Sequence, residues 1–152
     1  MNYVGKWLFH SMGTMNENDE LVYLSKEEYL NSPIGEWIDE SDEEAVADEM
    51  RERKQIAGGV VEICDDGKLY MLMPIPEGIP ESDIEEAVKN GEINLRNGMF
   101  SDTAYDWEER DGELWFDTRI EGEVFGEKAD GWAKAIDEDG FFKFMMMRYA
   151  KE

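Results

Sequence analysis

Few residues of this chain are of the types that carry nucleophilic chemistry. It has one histidine, His10, and one cysteine, Cys64. A nucleophile activated by a histidine base would have to use His10, which lies mid-strand in the alternation of Val4 and Leu8 and is expected to pack there. Cys64 ends the apolar stretch 60–64 and is expected to be buried as a small apolar side chain. We therefore predict no catalytic residue and no enzymatic activity.

Carboxylates are abundant, but their spacing defines neither a metal site nor an acid–base pair. Sites built from several His or Cys ligands are excluded by count. The run Asp137-Glu138-Asp139-Gly140 lacks the later carboxylates of an EF-hand calcium loop, and its glycine suits a hairpin turn. Pairs such as Glu108 and Asp117 are expected by chance in a chain with 38 acidic residues. No metal and no cofactor are predicted.

Methionines and aromatic residues on the predicted strands indicate a different kind of site. Flexible thioethers can line a cavity that adapts to an apolar ligand, although they equally fill an irregular core. Arg119 or Arg148 would anchor a polar or anionic end of such a ligand; if Arg148 instead stacks on Trp7, it is structural. The residues predicted to bind the ligand are Met71, Met73, Trp107, Phe116, Arg119, Phe144, Met146 and Arg148.

The net charge of −23 limits the partners of the chain. A field of that sign repels nucleic-acid phosphates and anionic membrane surfaces, whereas it permits basic proteins, divalent cations and neutral ligands. Eight acidic residues and no basic residue lie between Glu36 and Glu49. This run is the basis of an alternative hypothesis, an acidic protein-interaction module that docks a basic partner.

The sequence has no apolar run long enough to span a bilayer, and its N-terminal stretch does not have the pattern of a secretory signal. A cytoplasmic location is therefore expected.

Turn signals between apolar runs predict three antiparallel hairpins. Asp-Gly and related pairs favour tight turns because these residues tolerate positive φ. The predicted strand pairs are 60–64 with 68–73, 105–110 with 113–120, and 132–136 with 141–149.

Three helices are predicted from one capping pattern, a Ser followed three residues later by a Glu. The pairs are Ser25 with Glu28, Ser41 with Glu44, and Ser82 with Glu85. The second helix should run from about 42 to 57. Because its apolar stripe is thin, we expect it to cover the surface as a lid.

The last predicted strand, 141–149, is apolar on both faces, and a flat apolar strand at an open sheet edge promotes aggregation. Pairing it with the first segment, 3–12, which is also apolar on both faces, would close the sheet. The fold predicted for residues 1–152 is one mostly β domain. It is an antiparallel up-and-down β-barrel of about eight to ten strands, with two or three short helices after the first strand and mid-chain.

Gly5-Lys6-Trp7 on the first strand and Arg148-Tyr149 on the last resemble the calycin superfamily, which includes the lipocalins and the fatty-acid-binding proteins. In lipocalins the resemblance implies that Trp7 packs against Arg148 and closes the barrel floor. In the fatty-acid-binding branch an Arg and a Tyr two residues apart reach the ligand, whereas here they are adjacent. The helix expected near 80–90 is extra to that plan.

Together these features predict a non-enzymatic carrier that holds a small apolar ligand, neutral or cationic, in a β-barrel interior. The acidic lid opposes fatty acids, because its carboxylates would slow the approach of an anion.

Overall fold

The computed structural model describes residues 3–33, 38–120, 122–124, 127–129 and 131–152. The described part is mostly β, with three helices. The helices are α1 (Lys26–Leu30), α2 (Glu43–Ala57) and α3 (Glu81–Lys89). The strands are β1 (Gly5–Met15), β2 (Leu21–Ser25), β3 (Val60–Ile63), β4 (Lys68–Met73), β5 (Asn94–Arg96), β6 (Met99–Ser101), β7 (Tyr105–Arg110), β8 (Glu113–Asp117), β9 (Gly122–Val124), β10 (Glu127–Ala129), β11 (Trp132–Lys134), β12 (Phe142–Phe144) and β13 (Met147–Lys151).

Two of the three predicted hairpins form at the predicted turns, because β3 pairs with β4 and β7 pairs with β8. In the third, β11 is followed by a turn at Gly140 that leads into β12, but β11 pairs with β8 and β12 with β13. Asp111 and Gly112 have φ angles of 51° and 79°. These are values that a two-residue hairpin loop requires and that Asp and Gly adopt at low cost.

Eight strands follow one another around a curled antiparallel sheet in the order β11-β8-β7-β4-β3-β1-β13-β12. The segment that follows β11 also meets the other end strand, β12, because Ile136 forms a bridge with Phe142 and the Lys143 amide donates to the Ala135 carbonyl at 2.7 Å. The sheet is therefore barrel-like, and its strands run up and down in chain order.

The last and first strands pair as predicted, because β13 lies antiparallel to β1, with Phe9 opposite Tyr149. However, the prediction of a single strand over 141–149 was wrong. The chain reverses at Met145-Met146, so that Phe144 faces Met147 across a two-residue loop. Met145 has a φ of 54°, a conformation that long side chains rarely adopt, and no Gly, Asn or Asp marks this turn in the sequence.

A β-bulge at His10 divides β1 into two parts. The register with β13 shifts between Phe9 and Ser11, which leaves His10 as the extra residue. Before the bulge Trp7 and Phe9 are buried and Leu8 is 40% exposed, so the first segment is not covered on both faces as predicted. Beyond the bulge Met12 packs against the core.

The helices form where predicted, but only one of the three capping boxes exists. At α1 the Ser25 hydroxyl oxygen accepts from the Glu28 amide, and the Glu28 carboxylate accepts from the Ser25 amide. α2 is capped by Asp42, whose Oδ1 accepts from the Ala45 amide at 3.2 Å, while Ser41 donates to Asp39 instead. α3 starts after Pro80 without a side-chain cap.

Large side chains pack one end of the barrel-like sheet densely. Trp7 is fully buried; its indole nitrogen donates to the Tyr3 carbonyl at 3.0 Å, and its ring lies 6.3 Å from Phe142. The largest fully buried side chains are Trp7, Phe116, Phe142, Ile63, Leu69, Leu114 and Val61.

Candidate functional site

An apolar cavity of about 350 Å³ lies at the other end of the sheet. It is bounded by the end of α2, the start of β3, the end of β4, the start of β7, the end of β12 and the start of β13, which antiparallel pairing brings to the same rim. Its lining residues are Ile56, Gly59, Val60, Met71, Leu72, Met73, Phe100, Ser101, Asp102, Tyr105, Phe144, Met147 and Tyr149.

Three of the eight predicted ligand residues line this cavity: Met71, Met73 and Phe144. Met71 and Phe144 are half-buried and also contact the core, whereas Met73 is 39% exposed at the rim. The lid helix takes part as well, because Ile56 near the end of α2 lines the cavity. The structure thus brings Met71, Met73 and Phe144 together at one apolar cavity.

The other predicted apolar residues lie elsewhere. Phe116 is 1% exposed within the packed core. Trp107 is half-buried and donates from its indole nitrogen to the Cys64 carbonyl at 2.8 Å. Met146 is 40% exposed beside Gly13, because the β12–β13 turn reverses the alternation on which its prediction depended.

The predicted stacking of Arg148 on Trp7 is wrong. Tyr149 is buried in the core, so its neighbour Arg148 lies on the opposite face of β13. The Arg148 guanidinium carbon stands 3.7 Å from the centroid of Tyr23, and its Nε lies 2.8 Å from the Asp137 carboxylate. Arg148 therefore fastens β2 and the β11–β12 turn to the outside of the sheet. Gly5 and Trp7 still belong to the closing strand.

A small polar cluster stands at the cavity rim. The Tyr105 hydroxyl donates to Asp102 Oδ2 at 2.7 Å, and the other carboxylate oxygen accepts from the Thr103 amide at 2.8 Å. Burial, together with the adjacent carboxylate, raises the pKa of Tyr105 to about 12. The predicted anchor Arg119 lies over the Tyr105 ring, 4.2 Å from its centroid, and does not line the cavity.

Tyr149, which carries a hydroxyl, is one of the residues that line the apolar cavity. The residue is 6% exposed, and burial raises its pKa to about 12, so it is neutral at physiological pH. Its hydroxyl contacts the Met147 thioether at 3.4 Å, which is a weak acceptor. A buried tyrosine usually has a stronger partner. Sequence analysis missed this residue because it treated 141–149 as one strand.

Cys64 is half-buried, not fully buried as predicted, in surroundings that favour the protonated thiol. Burial, the leading cause, raises its pKa, and its sulfur lies 3.4 Å from an Arg96 nitrogen. Arg96 also donates to Glu62 at 2.8 Å and covers the Tyr70 ring. This cluster fastens the β5–β6 hairpin to the outside of β3 and β4.

The other residues considered in the sequence analysis, His10, Glu108 and Asp137, interact with neighbouring residues of the fold. His10 is exposed, 4.4 Å from the Phe141 ring centroid, and its Nδ1 lies 3.0 Å from Ser11 Oγ. Glu108 is opposite Trp115, not Asp117, and pairs with Arg110. Asp137 accepts from the Asp139 and Phe141 amides, as expected for a turn. In the described residues no group of three or more His, Cys, Asp or Glu is arranged to hold a metal ion.

Several acidic residues of the run between Glu36 and Glu49 already bond to neighbouring groups. Glu36 lies outside the described residues, Asp48 pairs with Arg51, and Glu49 pairs with Arg53. Asp42 caps α2, and Asp39 accepts from Ser41, which lowers the pKa of Asp39.

Comparison of the chain with protein-family models, with curated proteins and with solved structures found no match. None of the helices in the described ranges has the length and apolar character needed to cross a membrane. The described residues form a barrel-like antiparallel fold with a dense aromatic core and an apolar cavity at one rim of the sheet.

Proposed function

We propose that this protein is a non-enzymatic binder of a small apolar molecule, neutral or cationic, in the cavity at the rim of the sheet. The observation that carries the proposal is the cavity itself. Its volume of about 350 Å³ falls in the usual range for small-molecule sites, and its lining combines aromatic and methionine side chains with few polar groups.

The arrangement also supports a relationship to the calycin proteins. A tryptophan on the first strand lies at the packed end, the last strand pairs with the first, and the cavity lies at the far end. The absence of a stacked Arg148 on Trp7 is a departure from the lipocalin plan. We therefore base the function on the cavity and not on the resemblance.

The charge of the protein favours neutral and cationic ligands over anions. With a net charge of −23, the surface potential opposes the approach of a carboxylate or sulfonate. Tyr149 supplies one hydrogen-bonding group among the lining residues, and the Asp102 carboxylate supplies a second at the rim.

N-Phenylnaphthylamine, a neutral apolar fluorophore, is a suitable probe of this cavity. We expect saturable binding with enhanced emission. Met73→Trp should weaken binding by about tenfold or more, which corresponds to about 1.4 kcal/mol, because the indole occupies the rim. Met146→Trp is the matched control, since Met73 and Met146 are 39% and 40% exposed and only Met73 lines the cavity.

Anilinonaphthalenesulfonate, which adds a sulfonate to the same skeleton, should bind more weakly than the neutral probe at low salt. The difference should shrink as salt screens the field. Absence of saturable binding of the neutral probe, or equal loss in both tryptophan variants, would show that the cavity does not bind apolar molecules.

The alternative, an acidic module that docks a basic partner, has less support. Of the eight acidic residues between Glu36 and Glu49, Asp48 and Glu49 already pair with arginines of α2. Salt-sensitive capture of a basic protein that survives Met73→Trp would favour this alternative over the cavity.

A further inference from the structure

Four aromatic residues line the proposed cavity: Phe100, Tyr105, Phe144 and Tyr149. Tyr149 and Tyr105 are buried, and Phe100 and Phe144 are half-buried. The face of an aromatic ring carries partial negative charge and attracts organic cations, which is the basis of the aromatic sites that hold quaternary ammonium groups. The Arg119 guanidinium already covers one face of Tyr105. Phe100, Phe144 and Tyr149 are therefore the rings that best suit a cation with an apolar surface.

The same cavity carries a carboxylate at its rim. Asp102 is exposed, and its oxygens accept from the Tyr105 hydroxyl and the Thr103 amide. Both donors are neutral. Within the described residues, Asp102 has no Lys or Arg in salt-bridge contact with its carboxylate.

We propose that the ligand of this cavity is a hydrophobic organic cation, a quaternary ammonium or protonated amine, held by the aromatic lining and paired with Asp102. This inference rests on the proposed function and narrows it to one charge class. The net charge of −23 acts in the same direction, because it raises the local concentration of cations around the protein.

Arg119, which lies beside the cavity, allows a test of whether the ligand is a cation or an anion. Its guanidinium lies over the Tyr105 ring and donates to the Thr103 carbonyl at 3.3 Å. If the ligand is a cation, the charge of Arg119 opposes it. If the ligand is an anion, Arg119 attracts it. Removing this charge must therefore change affinity in opposite directions for the two classes.

The experiment compares benzyltrimethylammonium with neopentylbenzene, its neutral carbon isostere, by displacement of N-phenylnaphthylamine from the whole protein. We expect the cation to bind about fivefold more tightly or better, in line with cation–π contacts. Asp102→Asn should lower the affinity of the cation about two- to fivefold, as for an exposed ion pair, and leave the neutral isostere unchanged.

Asp65→Asn is the matched control, because it removes the same charge at the exposed β3–β4 turn, at the packed end of the sheet. It should change neither affinity. Arg119→Gln should strengthen binding of the cation.

Equal affinity for the two isosteres, an equal effect of Asp102→Asn and Asp65→Asn, or weaker cation binding after Arg119→Gln would overturn the assignment of charge while leaving the cavity as an apolar site. If the fluorophore itself does not bind, so that there is nothing for the two compounds to displace, the proposed function is refuted instead.

Discussion

At the scale of single residues, two tyrosine hydroxyls at the cavity differ in what they bond. Tyr105 donates to a carboxylate at 2.7 Å, whereas Tyr149 contacts a thioether at 3.4 Å. A hydrogen bond to a charged acceptor contributes more to stability than a contact with a weak one. The two side chains therefore form a natural pair for measurement.

We predict that Tyr105→Phe lowers the free energy of unfolding by about 1–2 kcal/mol, because it removes the bond to Asp102. Tyr149→Phe should change it by less than about 0.5 kcal/mol, since only a thioether contact is lost. Urea denaturation followed by tryptophan fluorescence gives both values. A larger loss for Tyr149→Phe would mean that its hydroxyl has a strong partner in the folded protein.

These two tyrosines also predict how stability depends on alkaline pH. The folded state holds both pKa values at about 12, above the usual value near 10, so it favours the protonated phenols. Their contribution to stability is fully present below about pH 10 and is lost as pH rises toward 12. Unfolding free energies measured from pH 9 to 11.5 should fall over this interval.

Tyr149→Phe should flatten this alkaline decrease, and ultraviolet titration of the folded protein should show one fewer late-ionising phenol. A decrease of the same steepness in the variant would contradict the assignment to Tyr149. Tyr23→Phe is a useful control, because that tyrosine stacks on Arg148 outside the cavity.

At the scale of elements, Arg53 joins the segment after α1 to α2. Its side chain is 7% exposed and donates to the Ser32 carbonyl at 2.6 Å and the Pro33 carbonyl at 3.0 Å. Its Nε donates to Glu49 at 3.1 Å. A buried arginine that bonds two carbonyls and a carboxylate thus fastens Ser32 and Pro33 to α2.

Arg53→Ala should lower the free energy of unfolding by about 2–4 kcal/mol, because the two carbonyls and the Glu49 carboxylate lose their hydrogen-bond donor. Arg51→Ala on the same helix is the control and should cost less than about 0.5 kcal/mol, since the Arg51–Asp48 pair is exposed. Chemical denaturation of both variants checks the prediction. Equal costs would show that Arg53 contributes only as an exposed ion pair does.

At the scale of the whole molecule, charge repulsion opposes the folded state. The chain has 38 acidic and 15 basic residues, and several of its ion pairs are half exposed and contribute little. Sodium chloride screens interactions beyond about 10 Å at 0.1 M, which weakens the long-range repulsion.

We therefore predict that raising sodium chloride from about 10 mM to about 300 mM raises the Tm. Chloride is preferred to sulfate for this measurement, because sulfate also stabilises proteins by exclusion from their surface. Differential scanning calorimetry measures the Tm at each salt concentration. Matched samples with sucrose, which is excluded from the protein surface and carries no charge, show the effect of exclusion alone, so that charge screening is separated from it. A lower Tm in salt would mean that local ion pairs outweigh the net repulsion.

What the sequence by itself determined was local. The turns at Gly67, Gly112 and Gly140, the capping box at Ser25 and the apolar alternation of the strands each depend on residues close together in the chain. These features were enough to predict a mostly β antiparallel fold whose last strand pairs with its first.

Which side chains line the cavity depends on which face of the sheet each residue occupies, and the local sequence did not show where that alternation is interrupted. Alternation along an unbroken strand placed Phe144, Met146 and Arg148 on one face. The turn at Met145-Met146 makes Met147 the partner of Phe144, so Met147 and Tyr149 line the cavity instead. Compared with an unbroken strand, a two-residue turn moves every later side chain to the opposite face of the sheet. Neither residue of this turn is a Gly, Asn or Asp, so the sequence did not indicate it.

Only the tertiary structure decided where the cavity lies and which groups face it. Asp102 and Tyr105 stand beside Phe144 and Met147, more than 35 residues away in the chain, because the curled sheet brings separate strand ends to one rim. Packing also decided that Trp7 and Phe142 are fully buried in the core while the rim near Phe144 and Met147 keeps an apolar cavity. Such outcomes depend on how side-chain volumes fill a closed shape, a property of the whole fold and not of any local pattern.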